Sequence, residues 1–183
     1  MSALLLPDLP AADAPALQAA VRAVIDEQPP ELASSGPRTL SGRLPDKARF
    51  QTDQYHEALL EAVYVVAAAD ELAAAEREAL STLCSTALDR TEKEIEALFD
   101  TFAQRLEQHG LHGTLGNVAT RLKDFQAREE VLTFAALIAV SDRDLDVAEA
   151  EALLELGAHF GFGTNEVQGV VDEVAARLAK QLS

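Results

Sequence analysis

The sequence predicts an all-α fold, a compact bundle of about seven helices in two pseudo-repeated halves behind a proline-rich leader. Three observations predict it. Apolar residues make up 48% of the 183 residues, but aromatics only 5%, and Trp is absent. An Ala- and Leu-rich interior favours close-packed helices, because strands draw on β-branched and aromatic side chains. All 7 prolines fall within the first 45 residues, so nothing beyond them breaks a helix from inside. From Thr52 onward, apolar residues recur at helical spacing.

The proline asymmetry places a boundary near residue 50, with a leader and linker over 1–50 and a helical domain over 51–183. Charge agrees, since the leader is nearly balanced and the acidic excess follows it. Within the leader, 13–27 reads as a short helix, with Pro15 in its first turn and Leu17, Val21, Val24 and Ile25 on one stripe. Residues 28–50, with Pro29-Pro30 and Ser34-Ser35-Gly36-Pro37, read as a linker. The apolar segment Leu4–Leu9 has three readings: it docks on a protein partner, packs on its own domain, or stays disordered.

The first helix of the domain, about 53–69, presents Leu59, Leu60, Val63, Val66 and Ala67. The second, about 73–88, carries Leu80, Leu83, Cys84 and Leu88. Cys84, the sole cysteine, reads as a small core residue. Thr91-Glu92-Lys93-Glu94 is a capping-box pattern opening a third helix, which runs through Ile95, Leu98, Phe99, Phe102 and Leu106 to a stop at His109-Gly110. A shorter helix over about 114–123 follows, and then the pattern restarts. Glu76, Leu80, Leu83 and Thr91 correspond to Glu149, Leu153, Leu156 and Thr164 at one constant offset, and Val167, Val170, Val171, Val174 and Leu178 line the last helix.

The net charge of −16, from 31 acidic and 15 basic residues, repels phosphate backbones and argues against nucleic acid as a partner. It attracts cations and basic protein surfaces. No run of eighteen apolar residues occurs, and Leu4–Leu6 lacks a preceding basic region and stops at Pro7, so neither a membrane span nor a signal peptide is expected. A cytoplasmic location follows, with membrane association only peripheral and through partners. No phosphate-binding glycine loop or nucleophile elbow is present, so a non-enzymatic role is expected. His109 and His112 read as solvated loop residues, and His56 and His159 as isolated on helices.

Each half sets a carboxylate-rich turn between its first two helices. The first is Ala69-Asp70-Glu71-Leu72-Ala73-Ala74-Ala75-Glu76, and the second Ser141-Asp142-Arg143-Asp144-Leu145-Asp146-Val147-Ala148-Glu149. Clustered carboxylates suit hard cations such as Ca²⁺ or Mg²⁺. The second turn offers Asp142, Asp144, Asp146 and Glu149, although it lacks the Gly and twelfth-position Glu of an EF-hand. The other reading is that these residues only cap helices and complement their dipoles.

The two turns, the approach helix Phe125–Ala139 and the exit Leu156–Gly163 together resemble the tellurite-resistance TerB-like family over roughly residues 53–178. That family's signature is an Asp-Gly turn, an apolar residue (here Leu72 or Leu145) and a Glu opening the next helix. The resemblance implies an all-helical fold and a metal ion held by acidic residues at Asp70, Glu76, Asp142 and Glu149. It also implies a role in tellurite or chemical-stress response, often in membrane-linked assemblies. Here the glycine is missing from the shorter first turn and replaced by Arg143 in the second, where a guanidinium is expected to compete with a cation. Two functional readings follow: an acidic, metal-responsive scaffold, or a pure adaptor recruited through Leu4–Leu9 whose turns bind nothing.

Overall fold

A computed structural model of the chain describes residues 4–27, 46–87 and 90–183. Among them are seven α-helices and no strand: α1 (Ala14–Glu27), α2 (Asp46–Ala67), α3 (Ala74–Thr82), α4 (Glu92–Arg121), α5 (Phe125–Ala139), α6 (Val147–Phe160) and α7 (Thr164–Leu182). The all-α expectation is met. Most of the expected linker, and Leu88, lie outside the described residues, but the linker's end does not: α2 already starts at Asp46.

Two helices form the centre. Ala58–Ala67 of α2 and Val131–Val140 at the end of α5 are buried almost without interruption, apart from Thr133. Helices apolar on every side must be enclosed by others. These two, the first helices of the two halves, pack on each other, with α4 and α6 also against α2, and α6 and α7 also against α5. Cys84 is fully buried in a π-helical turn, Leu83–Ala87, that continues α3, and burial pushes its thiol up to about 12. It is a core residue, as its setting predicts.

The leader joins the bundle. Asp13 Oδ1 accepts from the Ala16 N–H at 2.9 Å, opening α1, which buries Leu17, Ala20, Val21, Val24 and Ile25 and packs on α7 and α3. Of the three readings for Leu4–Leu9, the structure shows packing on its own fold. Leu4 is buried, Leu6 and Leu9 pack against the core, and Leu5 is exposed. The Leu5 N–H donates to Gln168 Oε1 at 2.9 Å, while Gln168 Nε2 donates to the Leu5 carbonyl at 2.7 Å.

Helix α4 begins with the expected capping box: the Thr91 N–H donates to Glu94 Oε2 at 2.8 Å, and the Glu94 N–H to Thr91 Oγ1 at 3.4 Å. It breaks at Gly110, where φ is 67° and ψ is 175°, a conformation open to glycine because it has no Cβ. The expected stop at His109-Gly110 is thus present as a kink between two helical segments, the second of which includes the expected shorter helix. The kink lets arginines from both segments reach α2. Arg105 Nη1 donates to Glu57 Oε1 at 2.8 Å and to Glu61 Oε2 at 2.9 Å, and Arg121 Nη2 also donates to Glu61 Oε2. Glu61 is only 1% exposed.

A buried carboxyl pair between the two halves

Both acidic turns lead into a helix whose first turn contributes a glutamate. Asp146 caps α6, its carboxylate accepting from the Glu149 N–H at 2.8 Å, while Glu149 Oε2 accepts from the Asp146 N–H at 2.9 Å. At α3 only half of this box exists. Glu76 Oε2 accepts from the Ala73 N–H at 2.8 Å, but alanine has no side-chain acceptor to return the bond. Capping is thus a real role for Asp146, Glu149 and Glu76.

Capping uses only part of these carboxyls. Glu76 and Glu149 are 2% and 6% exposed, and their side chains meet in a hydrogen bond between the halves. Burial, then the bond to Glu76, pushes the Glu149 carboxyl up to about 9, with Asp146 adding like-charge repulsion. Burial also raises Glu76, and Asp142 and Asp146 reinforce this with their charge. The interpretation is chemical. Were both ionised, Glu76 Oε1, which is buried, would have no donor. With the proton on Glu149, a carboxylic acid donates to a carboxylate.

The six acidic residues singled out in sequence do not converge as a set. Asp70, Asp142 and Asp144 are exposed and Asp146 is half-buried. Asp142 Oδ1 accepts from the Asp144 N–H, and Asp144 Oδ1 from the Leu145 N–H, both at 2.9 Å, so these two carboxylates shape the turn. What the fold brings together is Glu76 and Glu149, with Asp142 and Asp146 within electrostatic reach of Glu76. Glu76 and Glu149 are the residues here that could supply oxygen ligands to a hard cation such as Ca²⁺ or Mg²⁺.

Arg143 does not behave as its position in the sequence suggests. Its φ is 73°, the left-handed backbone that a glycine would take without strain. Its guanidinium donates to the Ala12 carbonyl at 3.1 Å and the Leu9 carbonyl at 3.0 Å. It clamps the leader rather than filling a cation site.

Sequence reasoning missed a second cluster. His112, read as a solvated loop residue, and His159, read as isolated on a helix, meet Glu155, and the three bring their ligand atoms within 4.8 Å of one another. The Glu155–His159 spacing is a helical i, i+4 pair visible in sequence, but nothing local announces that α4 lays His112 beside it.

The family described as "Tellurite resistance protein TerB" matches residues 56–171, well over half of the chain. No curated protein and no solved structure matches.

Proposed function

Because the chain belongs to the tellurite resistance protein TerB family, we propose that it is a non-enzymatic acidic helical protein of a stress-response or membrane-associated assembly, and that the Glu76–Glu149 pair holds a hard divalent cation, Ca²⁺ or Mg²⁺. The observation that carries this reading is the meeting of Glu76 and Glu149 in the interior, two buried carboxyls with the charges of Asp142 and Asp146 in electrostatic reach. A divalent ion there would displace the shared proton and take both carboxylates as ligands, with the nearby Asp142 and Asp146 strengthening the negative field. Such a site ties α3 of the first half to α6 of the second, so occupancy would report on how the halves sit together. No helix among the described residues is long and apolar enough to cross a membrane. Any membrane association would then run through protein partners.

Calorimetric titration of the full chain with Ca²⁺, Mg²⁺ and Mn²⁺ tests the cation reading. Binding is expected in the wild type and lost in Glu76→Gln and Glu149→Gln. Silence down to millimolar affinity would leave the turns as caps and favour the adaptor reading, in which Leu5, 72% exposed on the packed leader, is the apolar side chain of Leu4–Leu9 presented to a partner.

A further inference from the structure

We propose a second metal site, separate from the carboxyl pair, in which His112, Glu155 and His159 bind Zn²⁺ or another borderline transition metal. The three side chains come from two packed helices. Glu155 and His159 stand one turn apart on α6, and His112 sits just past the Gly110 kink of α4. His112 Nδ1 lies 2.5 Å from Glu155 Oε1, His159 Nε2 lies 3.9 Å from the same oxygen, and the two imidazole rings are 4.8 Å apart at 45°. Gly116, one turn beyond His112, lies against the His159 ring, where a Cβ would sit 3.4 Å from Cε1.

The observation that points to a ligand is His159 Nε2. It is buried and has no hydrogen-bond partner. A buried polar atom left so is rare in a folded protein and commonly marks a missing ion or water. Two imidazoles and one carboxylate form a donor set that zinc accepts, and they leave a fourth tetrahedral position open. Ligands about 2.0–2.1 Å from Zn²⁺ lie roughly 3.3–3.5 Å from each other. Reaching that geometry requires the His112–Glu155 contact to open and the His159–Glu155 contact to close, each by less than about 1 Å, and the two imidazole nitrogens, within 4.8 Å of each other, to approach by up to about 1.5 Å. His112, with 83% of its side chain exposed, is free to make the larger adjustment, while the better buried Glu155 and His159 need to approach each other by only about 0.5 Å. Nitrogen donors separate this site from the all-oxygen pair at Glu76 and Glu149, which favours harder ions. The net charge of −16 raises the local concentration of any cation.

The test is titration of the full chain with Zn²⁺, and with Co²⁺ for its visible bands, in wild type, His112→Ala, His159→Ala and Glu149→Gln, with far-UV circular dichroism confirming the fold of each. Imidazole ¹⁵N shifts read the ligands directly. We expect one ion per chain, shifts confined to His112 and His159, and affinity falling on the order of 10- to 100-fold or more in either histidine variant, with Glu149→Gln unchanged. If folded His159→Ala binds as tightly as the wild type, or Zn²⁺ leaves both imidazoles unmoved, the proposal is overturned. Loss in Glu149→Gln alone would assign the ion to the carboxyl pair and overturn it equally.

Discussion

Glu61 and Glu149 are both buried carboxyls in one bundle, and they keep opposite company. Glu61, on the central helix, is met by Arg105 and Arg121 from either side of the Gly110 kink, with Glu57 sharing both cations. Its charge is neutralised within the protein, and the network fastens α4 to α2. Glu149 is met by Glu76, with Asp146 and Asp142 close by. No cationic group among the described residues is a cause of its raised pKa, so near neutral pH it keeps its proton. A buried acid supplied with its own arginines is part of the scaffold, whereas one facing other acids is where the proposed cation would act.

The largest effect should come from breaking the satisfied site. Removing both arginines (Arg105→Ala with Arg121→Ala) leaves Glu61 buried and unpaired, which should cost about 3–5 kcal/mol of unfolding free energy in urea. Arg121 alone should cost less, because Arg105 still reaches the carboxylate. If the double variant is as stable as the wild type, the contrast between the two sites fails at its first term.

The unsatisfied site should instead show itself through pH. Glu149 holds its proton in the folded state up to about 9 but would release it in the unfolded chain near the ordinary 4.5. The unfolded state therefore binds fewer protons between these values, so stability is full below 4.5 and declines as pH rises toward 9. In chelator, the slope should be on the order of 1 kcal/mol per pH unit, read as a falling Tm. Glu149→Gln, which keeps the hydrogen bond without the titration, should flatten it. Saturating Ca²⁺ should flatten it too, by favouring the deprotonated pair.

Much of the scaffold was legible in sequence, for local reasons. Helical periodicity, the Thr91–Glu94 box and the Gly110 stop all act within a few residues, and Cys84 declared itself core by its apolar neighbours. The site was legible only in part. Asp142 and Asp144 stood out because carboxylates crowd that turn, yet both are exposed and their oxygens are used on the turn's own backbone. The decisive partnership, Glu76 with Glu149, depends on where the fold places the first turns of α3 and α6, which spacing along the chain does not encode. Arg143 and Glu61 illustrate the same gap. Both are read by partners far away in sequence, the Leu9 and Ala12 carbonyls for one and two arginines for the other.

Smaller changes sharpen the contrast further. Asp146→Ala removes the α6 cap and should cost about 1 kcal/mol. If Glu149 also serves a cation, the variant should weaken Ca²⁺ binding as well, because a neighbouring negative charge is lost while the Asp146 N–H still holds the Glu149 carboxyl. Arg143→Gly exchanges backbone relief at φ 73° against two lost hydrogen bonds to the leader. Its net stability change should fall within about 0.5 kcal/mol, with unchanged cation affinity but faster amide exchange over residues 5–12. A large gain in affinity would instead mean that the guanidinium does face the carboxyl pair.

Carboxyl ¹³C NMR of the glutamates, followed through pH in chelator and again with Ca²⁺, tests the contrast most directly. Glu149 should titrate near 9 without the ion and far lower with it, while the Glu61 resonance ignores Ca²⁺. A Glu149 that titrates in the ordinary carboxylate range, indifferent to Ca²⁺, would contradict the account.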